Sequence, residues 1–429
     1  MRLLSITAGA ADMYCGSCLR DNALAAELLG RGHDVVLMPV YTPTLTDERN
    51  VSQSKVLFGG ISVYLEQNVP LLRYTPRALD WLWDRPAVLR WAARRSIKTD
   101  PRWLGEMTVS MLEGRHGHQA KEFAKLVDWL RSVPPPDVVM LPNVLLSGFA
   151  APIKRAIGRP VVCTMQGEDL FLEGLSAEHR RAALGLVRQH AESVDAFVAV
   201  SEFYARSMPD YLGIPAGKVR VVPLGINPDG FAPAVERPAR PFTVGYMARV
   251  APEKGLHLLA DAYRMMREGG VPAEARLEVA GYLSAEFRPY LADVERKMGE
   301  WGLVGEFRYH GVVDRAGKIA FLQGLDVLSV PATYDEPKGL SLFEAMACGV
   351  PVVEPRRGAF PEIIERTGGG ILVEKDDPAA LAAGLAALAA DPARARALGR
   401  QGREGVLAHY HVSVMADRAL EVLDDVARR

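Results

Sequence analysis

Short apolar runs alternate with helix-forming segments along this chain, and the alternation starts twice. Arg2 to Thr7, a glycine-containing loop, a helix near Asp21 to Leu29, the turn Gly32-His33 and a second run from Asp34 to Val40 follow in the order of a βα unit. Runs of roughly four to eight residues rich in Val, Ile and Leu, flanked by Gly or Pro, are what strands buried on both faces of a parallel sheet look like. Further runs lie at Asp137 to Leu141, Pro160 to Met165 and Ala196 to Val200. The segment Val219 to Asn227 then leads into the proline-rich PAVERPARP, which reads as a linker. Beyond it the rhythm resumes at Phe242 to Tyr246, Arg276 to Ala280, Phe307 to His310, Val327 to Val330 and Pro351 to Glu354. The expected class is α/β, with two domains of similar build. A length of 429 residues agrees, because one core rarely supports more than about 250 to 300.

Composition narrows the partners. Lys+Arg 51 against Asp+Glu 52 leaves a formal charge of -1, which removes the broad attraction that non-specific nucleic-acid binding needs. The N-terminal apolar run is far shorter than the ~20 residues of a membrane span, so the expectation is a soluble, cytoplasmic chain. Cys15, Cys18, Cys163 and Cys348 are too few and too scattered for a disulfide framework. Between about 42 and 133 the βα rhythm fades. There Trp81, Trp83, Trp91 and Trp103 interleave with Arg85, Arg90, Arg94, Arg95, Lys98 and Arg102. Such a mixture either packs as a helical insertion or touches a membrane surface or anionic acceptor from the peripheral side, here through 81–103. Alanine and arginine crowd the region after Asp377 and read as helices, and Val412 to Val426 is amphipathic.

Two stretches carry chemistry. In YDEPKGLSLFEAMACGVPVV, Glu336 precedes Pro337-Lys338-Gly339, and Glu344 follows eight positions later inside a helix-like run. Ser341 to Glu344 also spells S-x-x-E, so Glu344 is expected to cap its own helix. In GYMARVAPEKGL, Arg249 and Lys254 sit on a loop after a strand, with Pro252 stiffening the turn. Cations and helix N-termini are what a departing diphosphate requires.

Together these stretches resemble the E-x7-E signature and diphosphate loop of retaining glycosyltransferases of family 4. That resemblance implies a GT-B fold, two Rossmann-like domains facing a central cleft. Its expected bounds are 1–226 for the acceptor-side domain, 227–410 for the nucleotide-sugar domain, and 411–429 for a terminal helix returning to the first. It implies transfer of a hexose from a nucleotide diphosphate sugar to a hydroxyl acceptor, with no metal or other cofactor required. Glu336, Arg249 and Lys254 take catalytic roles by resemblance. Lys338, Gly339 and Leu340 meet the diphosphate, Glu344 the ribose, and the segment around Val312 the base. Glu336-Pro-Lys-Gly-Leu340 and the early MPVYTP also resemble glycogen and starch synthases, which keeps an α-glucan synthase open as an alternative. A nucleotide-sugar-binding scaffold without catalysis is another, and a phosphorylase lacks a lysine context for pyridoxal phosphate.

The acceptor half departs from the family. TAGAADMYCGSCLRDNALAAELLGRGHDV keeps Gly16 at the second position of the family's Gly-Gly loop but has Cys15 at the first. Cys15-Gly-Ser-Cys18 is also a C-x-x-C opening a helix, the setting that lowers a thiol pKa in redox proteins. In CTMQGEDLF, Gln166 stands where many relatives place a histidine facing the donor sugar. Glutamine can position a sugar but cannot ionise. Glu168 and Asp169 beside it read either as acceptor contacts or as helix-capping residues.

Overall fold

The computed structural model describes residues 1–9, 14–53, 56, 101–234, 240–270 and 272–429, with backbone alone for 101–103. Trp81, Trp83, Trp91, Arg85, Arg90, Arg94, Arg95 and Lys98, and the side chains of Arg102 and Trp103, lie outside the described residues, as does most of PAVERPARP. The chain divides into two compact units, Met1–Pro223 with Ala416–Arg429, and Leu224–Met415.

Unit 1 is built on a six-stranded parallel sheet in the order β2-β1-β3-β4-β5-β6. Its strands are β1 (Arg2–Thr7), β2 (Asp34–Pro39), β3 (Val138–Leu141), β4 (Val161–Met165), β5 (Ala196–Ala199) and β6 (Val219–Val221). All residues of β3, β4 and β5 are buried, which is why those runs read as continuously apolar. The helix Gly16–Gly30 leaves β1, and Pro101–Glu113 and Ala120–Ser132 belong to the core rather than to an appendage. Met111, Leu112, Phe123, Leu126 and Leu130 are all buried with the sheet residues, and the Phe123 and Phe149 rings meet edge-on at 4.2 Å. The far end of the expected insertion is therefore structural.

Unit 2 repeats the plan, with sheet order β12-β11-β10-β7-β8-β9. Its strands are β7 (Phe242–Met247), β8 (Ala275–Ala280), β9 (Phe307–Tyr309), β10 (Val327–Leu328), β11 (Val352–Pro355) and β12 (Gly370–Val373). Two parallel six-stranded α/β sheets of this kind are the two Rossmann-like domains that the sequence led one to expect.

The structure adds two strands that the sequence reading did not name. Val219–Val221, inside the expected first domain of 1–226, is β6, paired in parallel with Phe197 to Ala199 of β5. Gly370–Val373 had no counterpart in the sequence reading. Both are edge strands whose residues are only half-buried, so neither carries the apolar run that marks a central strand.

Glycines set the loops at the C-terminal ends of the unit 2 strands. Gly281, just after β8, has φ +144, and a Cβ there would lie 1.8 Å from the Ala248 carbonyl oxygen. Gly281→Ala must distort the β7 and β8 loops together. It should lower the unfolding free energy by about 2 kcal/mol or more; urea denaturation giving an unchanged midpoint would contradict this.

Candidate functional site

In unit 2 the chain after β7 turns at Pro252–Lys254, a single 3-10 turn started by Pro252 and closed by Gly255 at φ +74. A Cβ on Gly255 would lie 1.9 Å from the Pro331 carbonyl oxygen, and Thr333 N donates to Glu253 O at 2.9 Å. This contact lays the loop after β7 against the loop after β10. Lys254 is thereby delivered to the stretch that carries Glu336. Its ammonium donates to Tyr334 OH at 2.6 Å and to Glu336 Oε2 at 2.5 Å, and the Tyr334 hydroxyl donates to the same Glu336 oxygen.

Glu336 is 6 % exposed, so it is not an ordinary loop acid at the surface. Its other oxygen accepts from Lys338 N at 3.2 Å, and its carbonyl accepts from Ala359 N at 2.8 Å. Gly358, with φ +57, passes so close that a Cβ would lie 2.4 Å from Glu336 O. Burial alone would raise this carboxyl. The charges of Lys254 and Lys338, with hydrogen bonds from Lys254 and Tyr334, outweigh burial and hold it down to about 2. Burial first, and Glu336's charge second, push the Tyr334 phenol up, so it keeps the proton it donates. Glu354, fully buried at the end of β11, is the contrasting acid: burial pushes its carboxyl well above the usual range, against the Val330 N–H at 2.9 Å.

Arg249 lies on the same loop, its backbone fixed by Tyr246 OH donating to Arg249 O at 3.0 Å, its guanidinium paired with Glu253 and 41% exposed. The structure thus brings Arg249, Lys254, Glu336 and Lys338 to one place. Val312 follows β9 and is 53% exposed.

The expected capping box does not form. The helix Leu340–Ala347 has Gly339 as its N-cap at φ +66, with no side-chain cap, and Ser341 lies inside the first turn. An N-cap needs extended backbone and a side-chain oxygen one position earlier, which glycine does not supply. Glu344 is instead bonded by Lys318 Nζ at 2.6 Å, with side chains 9% and 12% exposed. Gly339 has no room for a side chain, since a Cβ would lie 2.7 Å from Ile363 Cδ1. The first amides of this helix are therefore presented over a bare backbone.

In unit 1, Cys15 is the N-cap of Gly16–Gly30 and Gly16 its first residue. None of the four cysteines forms a disulfide. The Cys15 hydrogen bond, burial, and the charges of Cys15 and Asp21 push the Cys18 thiol up. Gln166 is 4% exposed and its Nε2 donates to Pro142 O at 2.7 Å, which leaves Oε1 as a buried acceptor with no partner among the described residues. Glu168 is not a cap, because Gly167 is the N-cap. Its carboxylate accepts from Gln166 N at 2.7 Å and Gly167 N at 3.0 Å, while Tyr204 OH donates to Asp169 at 2.7 Å. Both acids hold their own loop.

Tyr334, Lys318 and Tyr204 were not singled out from sequence. Tyr334 lies inside the glutamate stretch itself, two residues before Glu336, and that proximity was the available signal. Lys318 and Tyr204 reach their partners across 26 and 36 residues and leave no local trace.

Residues 22–225 match the family described as glycosyl transferase 4-like domain, and 231–405 match glycosyl transferases group 1. A phosphatidyl-myo-inositol mannosyltransferase of Mycobacterium leprae is 31% identical over 57% of this chain and 62% of its own length. A GDP-mannose-dependent alpha-(1-6)-phosphatidylinositol monomannoside mannosyltransferase of Mycolicibacterium smegmatis is 28% identical over 64% of this chain and 75% of its own. The chain thus spans less than two thirds of the M. leprae protein it matches. Among solved structures, Anabaena HepE in complex with UDP and glucose is 18% identical, with TM-score 0.69, 99% of this chain and 100% of that one covered. Sucrose-phosphate synthase from Thermosynechococcus elongatus is 20% identical with TM-score 0.70, covering 99% of both chains. Among the described residues no helix is long and apolar enough to cross a membrane.

The Glu336 network predicts an acid-sensitive stability. Its carboxyl titrates lower in the folded chain than in the unfolded one, so its contribution is complete above the ordinary value of 4.5 and drains away as pH falls toward about 2. By linkage this is roughly 3 kcal/mol at neutral pH. In urea unfolding, Glu336→Gln should trail the parent by about that much at pH 7, and the gap should close as pH falls through about 2; a gap independent of pH would contradict the assignment.

Proposed function

Because the chain belongs to the glycosyl transferases group 1 family, with a glycosyl transferase 4-like domain preceding, we propose that it is a retaining hexosyltransferase. It moves a hexose from a nucleoside diphosphate sugar to a hydroxyl acceptor. The observation that carries this reading is the buried Lys254–Tyr334–Glu336 network beside Arg249, a carboxylate held ionised among cations at the C-terminal ends of parallel strands.

Arg249 and Lys254 neutralise the charge that grows on the departing diphosphate, a task that needs no metal ion. The amides of Leu340 and Ser341, reached over Gly339 and beside Lys338, supply further donors. Glu336 stays charged through the physiological range and steadies positive charge on the sugar ring. Glu344 offers its carboxylate to the ribose hydroxyls with Lys318 fixing its orientation, and the base lies near Val312. In unit 1, Gly16 lets backbone approach a phosphate, and Gln166 Oε1 accepts a sugar hydroxyl hydrogen. Gln166 moves no proton. The acceptor oxygen forms its bond to the anomeric carbon on the face from which the diphosphate leaves. Its proton passes to the leaving phosphate oxygen, and the configuration is kept. Mannose is the first hexose to test, since two of the relatives are mannosyltransferases by name.

Two measurements test this. Arg249→Ala should lower kcat/KM for nucleoside diphosphate release by about a hundredfold. Its Tm should scarcely move, because an exposed ion pair contributes about 1 kcal/mol at most; near-normal turnover would remove Arg249 from the site. In a thermal-shift panel, the true nucleotide sugar at ~100 times its Kd should add about 2.7 kcal/mol to the folded state. No shift with any nucleotide or nucleotide sugar would overturn the donor site.

A further inference from the structure

Arg20, on the first turns of the helix Gly16–Gly30, has a side chain only 1% exposed. Its Nη1 donates to Asp21 Oδ1 at 3.0 Å. Its Nε and Nη2 are buried and have no hydrogen-bond partner among the described residues, and neither does Asp21 Oδ2. Arginine is charged at every pH a folded protein meets, so this is a buried cation with one of its three nitrogens satisfied. Folded chains do not ordinarily leave such groups unpaired.

The two orphaned nitrogens are not a random pair. Nε–H and one Nη2–H lie parallel along one edge of the planar guanidinium, the edge that grips two oxygens of a carboxylate or phosphate at once. Asp21 cannot fill that edge, because it is bonded at the other nitrogen. The place is also suited to a ligand. The sheet order β2-β1-β3 makes β1 the strand from which successive connections run in opposite directions, and open α/β sheets bind ligands outside the C-terminal ends of strands at such a switch point. Arg20 lies on the helix that leaves β1 there.

We propose that Arg20 is a binding residue of unit 1 whose Nε–Nη2 edge takes the oxyanion, phosphate or carboxylate, of an anionic hydroxyl acceptor. The proposal rests on the transferase reading only for what the oxyanion is attached to. Burial makes the grip strong, because an ion pair drawn out of water is screened little. Neutral acceptors lack the group that completes this edge.

The test is calorimetric titration of the full chain with inorganic phosphate and, separately, with acetate. Both titrations carry Arg249→Ala and Lys254→Met with Glu336→Gln, so that the diphosphate loop of unit 2 takes no part and no buried charge there is left alone. The parent should bind one of the two anions, and which one it binds decides between phosphate and carboxylate. Adding Arg20→Met with Asp21→Asn should weaken that binding at least tenfold, with Tm unchanged or raised, because an unpaired buried charge is removed. Arg20→Lys keeps the charge and removes the fork, so it should also weaken binding about tenfold, and it serves if the double substitution does not fold. Failure of the parent to bind either anion, or unchanged affinity in a folded Arg20 variant, overturns the proposal. No donor is present, so this failure leaves the transferase reading standing, and absence of turnover in the donor assays leaves the anion site standing.

Discussion

The ammonium of Lys254 and the carboxylate of Glu336 come from loops 82 residues apart and meet in a nearly dry setting. Removing either partner would leave the other buried and uncompensated, which is far costlier than losing an exposed pair. The rest of unit 2 can be understood as the means of bringing them together. Parallel pairing of β7 with β10 sets the two loops side by side, since Val327 and Leu328 stand opposite Val244 and Gly245. Gly255 then allows backbone contact with Pro331, and Gly358 allows backbone contact with Glu336. Tyr334 bridges the two charged groups and keeps its proton because burial and Glu336 oppose its ionisation.

Two acids a short way apart are driven in opposite directions by their surroundings. Glu336 has two cations and a phenol and stays ionised; Glu354 has one backbone N–H and no cation, and burial drives it toward neutrality. A second negative charge there would oppose the first. Burial that resists a charge on Glu354 therefore favours the pairing of Glu336 with Lys254.

Much of the fold was legible because parallel strands buried on both faces leave apolar runs, and β3, β4 and β5 were readable within a residue or two. The edge strands β6 and β12 were not, since half-exposed residues leave no such run. The residues of the proposed donor site were legible as a local pattern, Glu336 through Glu344, because a loop and the helix behind it are continuous in sequence. The capping box failed for a backbone reason: Gly339 adopts the left-handed conformation that starts the helix one residue before Ser341. Lys318, Tyr204 and the orphaned edge of Arg20 could not be read at all, because each depends on which side chains folding brings, or does not bring, within reach.

The central claim is that the Lys254–Glu336 pair belongs to a nucleoside diphosphate site rather than serving the fold alone. Calorimetric titration of nucleoside diphosphates into the parent and into Lys254→Met examines it most directly, with Glu336→Gln combined in the variant so that no buried charge is left alone. The account predicts binding by the parent and at least a tenfold loss in the folded double variant, since a charge-assisted phosphate contact contributes about 1.5 to 3 kcal/mol. Equal affinity in both proteins would contradict it.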